Sequence, residues 1–275
     1  MPSTLKIDIT HRVAIVWMTR AEVRNAFNET TIAELTEAFR ALGADPEVRA
    51  IVLAAEGPAF CAGADLDWMR RMAQYSHDEN RADATKLATM LRTIHECPKP
   101  VIARIHGPAF AGGVGLVAAC DIAVASLNAE FCLTETKLGL IPATIAPYVM
   151  RAMGPSQARR YFLTAEKFDA GEAYRIGLVH NIVPPEQLDG AINELLGTLM
   201  LTSAQAVTEA KRLVRDLAFR PIDDALVADT AERIAAIRQS VDGSEGIASF
   251  LEKRKPRWVS EYEALDADRE DDEEM

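Results

Sequence analysis

PVIARIHGPAFAGGVGLVAACDIAVASLNAEFCLTETKLGLIP, residues 100–142, decides the fold. Pro100 leads an apolar, β-branched run, Val101 to Ile105, which reads as a buried strand. A small-residue turn follows, Gly107-Pro108-Ala109-Phe110-Ala111-Gly112-Gly113. Val114 to Ala119 is apolar on every face and reads as a buried helix. Asp121 to Ala125 reads as a second short strand, and the first carboxylates after this dry passage are Glu130 and Glu135. A strand feeding a glycine turn feeding a helix aims free backbone N–H groups at whatever lies above the turn. That arrangement can hold an oxyanion, with a carboxylate nearby to move protons.

Working outward, the same grammar occurs once more about fifty residues upstream. Arg49 to Ala54 reads as a buried strand, followed by the turn Gly57-Pro58-Ala59-Phe60-Cys61-Ala62-Gly63-Ala64-Asp65 and a helix beginning at Leu66. Before it, Leu5–Thr10 and Val13–Met18 form a hairpin through His11-Arg12, and Thr19 to Phe27 is a loop. Asn28 is placed to cap a helix carrying Ile32, Leu35, Phe39 and Leu42 on one face. Residues 77–97 read as a polar helix with a stripe at Leu87, Met90, Leu91 and Ile94. Alternating strands and helices predict an α/β fold with a partly parallel sheet. Beyond Pro142 helical patterns dominate, at 145–153, 155–164, 169–176, 185–200, 203–218 and 221–240, with a strand only at His180 to Val183. The organisation expected is a core domain over 1–195, a helical region over 196–260 and an acidic, disordered tail over 261–275.

The chain has 275 residues, 49% of them hydrophobic, enough for a sizeable core. Its formal net charge of −11 disfavours nucleic acid and anionic membrane as partners. Cys61, Cys97, Cys120 and Cys132 lack metal-ligand spacing and read as reduced, buried thiols of a cytoplasmic protein. No signal peptide and no apolar run of membrane-spanning length is recognised.

Two small-residue turns can each offer one N–H to a single point, which an enolate-forming enzyme needs. The blander reading is that the glycines only permit close packing. Gly113-Val114-Gly115-Leu116-Val117-Ala118, with Glu135 about twenty residues on, also outlines a dinucleotide fingerprint. Against that, Gly107 to Gly112 separate it from the strand. Glu135 is either a partly buried proton carrier or a surface residue paired with Lys137. Cys61, in a turn before a helix, could carry a lowered pKa, yet no histidine is near in sequence. The five histidines show no metal-ligand spacing, so no metal is expected, and His106 reads as structural. Lys253-Arg254-Lys255 could meet a phosphate or simply face solvent at a helix end.

These residues together resemble the enoyl-CoA hydratase/isomerase, or crotonase, superfamily across roughly 5–258. The resemblance rests on Phe60-Cys61-Ala62-Gly63-Ala64-Asp65-Leu66, His106 to Gly113, Cys120-Asp121, Phe131 to Pro142 and Phe250 to Lys255. It implies a spiral of ββα units with a helical C-terminal trimerisation region, acting as a homotrimer or homohexamer on an acyl-CoA, with no cofactor beyond the substrate's own coenzyme A. It places the thioester carbonyl between the N–H groups of Ala64 and Gly112, with Glu135 as the catalytic carboxylate. Coenzyme A would follow Ala62, Asp65 and Leu66, helped by Val23 and Arg24, with Lys253 on the phosphates.

One departure matters. Two-glutamate hydratases carry a glutamate where this chain has Gly115, so only Glu135 remains. Ala64-Asp65-Leu66-Asp67-Trp68-Met69, GLVAACDIAVA (115–125), FCLTETKLGLIPATIAPYVMRAMG (131–154) and RRYFLTAEKFDA (159–170) resemble bacterial methylglutaconyl-CoA and isohexenylglutaconyl-CoA hydratases. The function expected is hydration of a 2-enoyl-CoA, favouring a branched glutaconyl type such as 3-methylglutaconyl-CoA. A substrate carboxylate could use the room Gly115 leaves. The alternative is Δ3–Δ2 enoyl-CoA isomerisation by Glu135 alone. Some relatives bind RNA through a lysine-rich first helix, but here residues 28–43 hold Arg40, no lysine and three glutamates.

Overall fold

The computed structural model describes residues 3–263. Strands β1 (Leu5–Thr10) and β2 (Val13–Met18) form the expected hairpin, closed by His11 and Arg12, both in left-handed conformation. That is the twist-matched two-residue hairpin turn, built here without glycine. Helix α1 (Glu29–Ala44) starts at Asn28, whose side chain accepts the Thr31 N–H at 3.0 Å. Strand β3 (Ala50–Ala55) is buried throughout, and β4 (Val101–Ile105) nearly so. Between them lie α2 (Leu66–Met72) and α3 (His77–His95). After β4 come the two-residue β5 (Ala109–Phe110), α4 (Gly112–Ala119), β6 (Ile122–Ser126) and β7 (Glu130–Cys132).

The main sheet runs β1-β2-β3-β4-β6-β9, where β9 is Asn181–Val183. Only the β1–β2 pair is antiparallel. Helices cover the sheet, so its central strands read as unbroken apolar runs. A second sheet, β5-β7-β8, adds Phe168–Asp169 as β8. This α/β arrangement of two sheets agrees with the spiral that the resemblance implies. Helix α5 (Ala146–Thr164) breaks at Gly154 (φ 77°) before Pro155, where the sequence divides two helical patterns. Helix α6 (Ala170–Arg175) precedes β9.

The chain divides into two compact units after Asn193, inside α7 (Leu188–Met200). The second unit holds α8 (Ala204–Leu217), α9 (Asp224–Arg238) and α10 (Val241–Glu252). Ser203, Asp223 and Ser240 cap them, and Arg233 bridges Asp216 and Asp229 at 3.0 and 3.1 Å. The acidic end beyond residue 263 lies outside the described residues. Among the described residues no helix is long and apolar enough to cross a membrane.

Candidate active site

Three segments far apart in sequence lie side by side. Cys61 in the first turn bridges Ala109 in the second, and Ala109 pairs with Phe131 in β7. The Cys61 N–H donates to Pro108 O at 3.1 Å, and the Phe110 N–H to Cys61 O at 2.9 Å. The Ala111 N–H donates to Cys132 O at 2.8 Å. Three residues on from Cys61 and Ala109 come Ala64 and Gly112, and four on from Phe131 comes Glu135. The ladder therefore joins the three segments that carry the predicted reacting residues.

Both donors are set up by local geometry. Gly63 takes φ 94°, and its carbonyl accepts the Phe27 N–H at 2.8 Å; the Asp65 N–H donates to Phe27 O at 3.1 Å. With its neighbours' groups turned to Phe27, the Ala64 N–H points the other way. Gly112 is the first residue of α4, so its N–H has no intrahelical acceptor and sits at the positive end of the helix dipole. Neither N–H has an acceptor among the described residues. Ala64 and Gly112 are half-buried, whereas Gly63, Asp65 and Gly113 are buried. The turns pack tightly: a Cβ at Gly63 would stand 3.1 Å from the Ala111 Cβ, and one at Gly113 2.5 Å from Cys61 O. The glycines thus serve close packing and donor exposure together. Ala111 carries the strain, at φ 46° and ψ −118°, a conformation costly for any residue with a Cβ.

Glu135 opens a 3-10 turn, Glu135–Leu138, closed by Gly139 in left-handed conformation. It forms no ion pair with Lys137, and its Oε2 is buried without a hydrogen-bond partner. Burial pushes its carboxyl above the usual carboxylate range. A carboxyl so placed holds its proton to higher pH than a solvated one and is suited to take up and return it.

The residues expected along coenzyme A border the first turn. Ala62 donates its N–H to Arg24 O at 3.0 Å, and Arg24 is left-handed with an exposed side chain. Val23 is exposed, and Leu66 presents an apolar side chain 69% exposed. Asp65 is committed internally: Oδ1 accepts the Asp67 and Trp68 N–H groups, and Oδ2 pairs with Arg20 at 2.8 Å. Burial opposes its charge, but the bonds from Arg20, Trp68 and Asp67 outweigh it and hold its carboxyl below the usual range. Lys253 lies in the second unit, at the left-handed C-cap of α10.

Asp65→Ala removes the α2 cap and strands the Arg20 charge, with an expected loss of about 3 kcal/mol at neutral pH. Because the folded pKa is depressed, this contribution is present above the ordinary carboxylate pKa and lost as pH falls through the folded value. Melting curves of the two proteins should therefore converge in acid; a pH-independent gap contradicts the assignment.

Two readings already disfavoured in the sequence are excluded, and one expectation, the space at Gly115, is corrected. Cys61 is wholly buried, and burial pushes its thiol up to about 12, so it is no activated nucleophile. The dinucleotide outline fails because Gly113 and Gly115 lie inside α4 and face protein: a Cβ at Gly115 would stand 2.2 Å from Ile145 Cγ2. The same contact shows that Gly115 leaves no room for a substrate carboxylate, since Ile145 fills it. His106 does hold structure: its Nε2–H donates to Gly57 O at 2.8 Å, and burial lowers its pKa.

Sequence reading found the loop before α1 but missed what Arg20 and Asn25 do in it. Arg20 clamps Asp65 there, and Asn25 donates to Glu56 O and Ala59 O at 2.7 and 2.8 Å, fixing the start of the first turn. The only signal available was the cluster of polar residues in a short loop.

Comparison with known proteins agrees with this geometry. The family model described as enoyl-CoA hydratase/isomerase matches residues 8–261. A solved enoyl-CoA hydratase from Shewanella pealeana is 41% identical, with a TM-score of 0.91 over 94% of this chain and 97% of that one. Pseudomonas aeruginosa AtuE is 34% identical, with a TM-score of 0.89 over 93% of this chain and 99% of that one. The crotonyl-CoA hydratase of Syntrophomonas wolfei is 32% identical over 256 residues, 92% of this chain and 97% of that protein. With the two-turn site and the two-sheet spiral already described, these matches make the chain an enzyme of the enoyl-CoA hydratase/isomerase family.

Proposed function

We propose that this enzyme hydrates a branched 2-enoyl-CoA of the glutaconyl type, such as 3-methylglutaconyl-CoA, using Glu135 as its one catalytic carboxylate. What supports this is a pair of N–H groups without acceptors, Ala64 and Gly112, on two turns that the ladder joins, and a carboxyl with a buried, unpartnered oxygen just beyond the same ladder. The thioester oxygen takes both N–H groups and becomes more negative as water adds at C3, so the donors favour the enolate over the ground state. Glu135 removes the water proton and returns a proton to C2, a syn addition through one group. Ala62, Leu66, Val23, Arg24 and the Asp65 backbone line the coenzyme A path, and Lys253, in the second unit, would meet the phosphates of a coenzyme A held by a neighbouring copy. Exposed apolar side chains on the second unit, among them Phe219 (84%), Ile222 (89%) and Phe250 (82%), support burial in a homotrimer or homohexamer.

A distal substrate carboxylate needs a free cation. Arg70 and Arg71 are held by Asp67 and Glu29. Lys137 and Arg151 are exposed and without an ion pair among the described residues, and Lys137, two positions beyond Glu135, is the nearer in sequence. Isomerisation of a 3-enoyl-CoA is the second reading, favoured by one observation: Ile145 closes the place of a second carboxylate. Absorbance of the conjugated thioester separates the two. Loss of signal with 3-methylglutaconyl-CoA, well above that with crotonyl-CoA, is the expected result. Gain of signal from a 3-enoyl-CoA with neither 2-enoyl substrate hydrated would replace hydration by isomerisation.

A further inference from the structure

We infer that Phe27 is a positioning residue that fixes the two carbonyl-binding N–H groups relative to each other; the inference rests on Ala64 and Gly112 being those donors. Its backbone holds the first donor. The Phe27 N–H and C=O bond Gly63 O and the Asp65 N–H, the groups on either side of Ala64. Its ring holds the second. Phe27 is 1% exposed, and a Cβ on Gly112 would stand 2.2 Å from the ring Cζ and 3.0 Å from Cε1. The ring tip therefore abuts the α-carbon of the residue that bears the second N–H. Gly112 begins α4, so the backbone there does not require glycine. The space does, and Phe27 is what occupies it.

The ring is itself supported. Trp68 lies with its centroid 6.1 Å away, and the Trp68 Nε1–H donates to the buried Asp83 at 3.4 Å. The Cys61–Pro108–Phe110 bonds join the two turns upstream of the donors; Phe27 joins them at the donors. A site that must place two N–H groups on one oxygen depends on that spacing within a few tenths of an ångström. One residue controls both sides of it.

The test is a cycle of Phe27→Leu, Gly112→Ala and the double variant. It is read by the 13C shift of a bound saturated acyl-CoA labelled at its thioester carbonyl, by kcat and KM, and by melting. In the native protein the carbonyl should shift on binding. In Phe27→Leu the shift should fall back toward the free value and kcat drop about 10- to 100-fold, below the full loss of one donor, with KM changed less than about threefold. Gly112→Ala should lose more, and its loss should shrink in the Phe27→Leu background, because leucine lacks the Cζ that the new methyl strikes. Phe27→Leu that melts lower yet keeps the native shift and kcat, or a cycle that is simply additive, overturns the inference. No shift in the native protein overturns the donor reading itself, and this inference with it. Phe27→Met, nearer in volume, carries the same readouts should the leucine variant fail to fold.

Discussion

Glu135→Gln is expected to lower turnover by about 10²- to 10⁴-fold, the range for removing a positioned acid–base group, with acyl-CoA affinity nearly unchanged. The same substitution is expected to raise the melting temperature at neutral pH. Burial raises the folded pKa of Glu135 above its ordinary value, so the native state holds the proton more tightly than the unfolded chain. Stability from this group is therefore full below the ordinary carboxylate pKa and declines as pH rises through the folded value. Glutamine carries no such penalty. Native and variant proteins should melt together near pH 4 and separate toward pH 7, with the variant higher. A variant that loses activity and also melts lower at pH 7 would show that Glu135 is a structural group.

Gly115→Glu, which places a carboxyl where the crotonase resemblance leads one to expect it, is expected to destabilise the protein without improving hydration. The new Cβ would stand 2.2 Å from Ile145 Cγ2 and 2.8 Å from its Cβ, and Ile145 is 2% exposed. Overpacking of this kind costs about 1–3 kcal/mol, and burying an unpaired carboxyl adds about as much again. Adding Ile145→Gly clears both atoms, so the double variant should be more stable than the two single losses predict. Thermal melts of the four proteins check this. A stable Gly115→Glu with hydration raised tenfold would mean that Ile145 swings away freely and that the missing carboxylate alone limits the native enzyme.

These two residues also mark where sequence reading succeeds and stops. Glu135 stands out because it follows a long apolar passage, although the pattern alone fits a surface residue paired with Lys137 equally well, and only its burial separates the two. The hairpin, β4, the Asn28 cap and the break at Gly154 were equally legible, since each is set by neighbours within a few residues. The contact of Gly115 with Ile145 spans thirty residues and follows no period, so Gly115 read as open space. The sheet β5-β7-β8 was invisible because strands of two and three residues carry no alternation. Cys61 read as a buried thiol and is one: proximity to a helix start activates only a thiol that water reaches. Phe27 looked like the end of a loop, although its backbone and ring serve different turns.

The central claim is that two backbone donors and one carboxyl act together at C2 of a coenzyme A thioester. It is tested most directly with a saturated acyl-CoA in D2O, a ligand that can be neither hydrated nor isomerised. Glu135 should remove a proton from C2, the Ala64 and Gly112 N–H groups should hold the enolate oxygen, and a deuteron should return. Deuterium should accumulate at C2 with the native enzyme and not with Glu135→Gln. Absence of exchange with the native enzyme, or equal exchange with both, would contradict it.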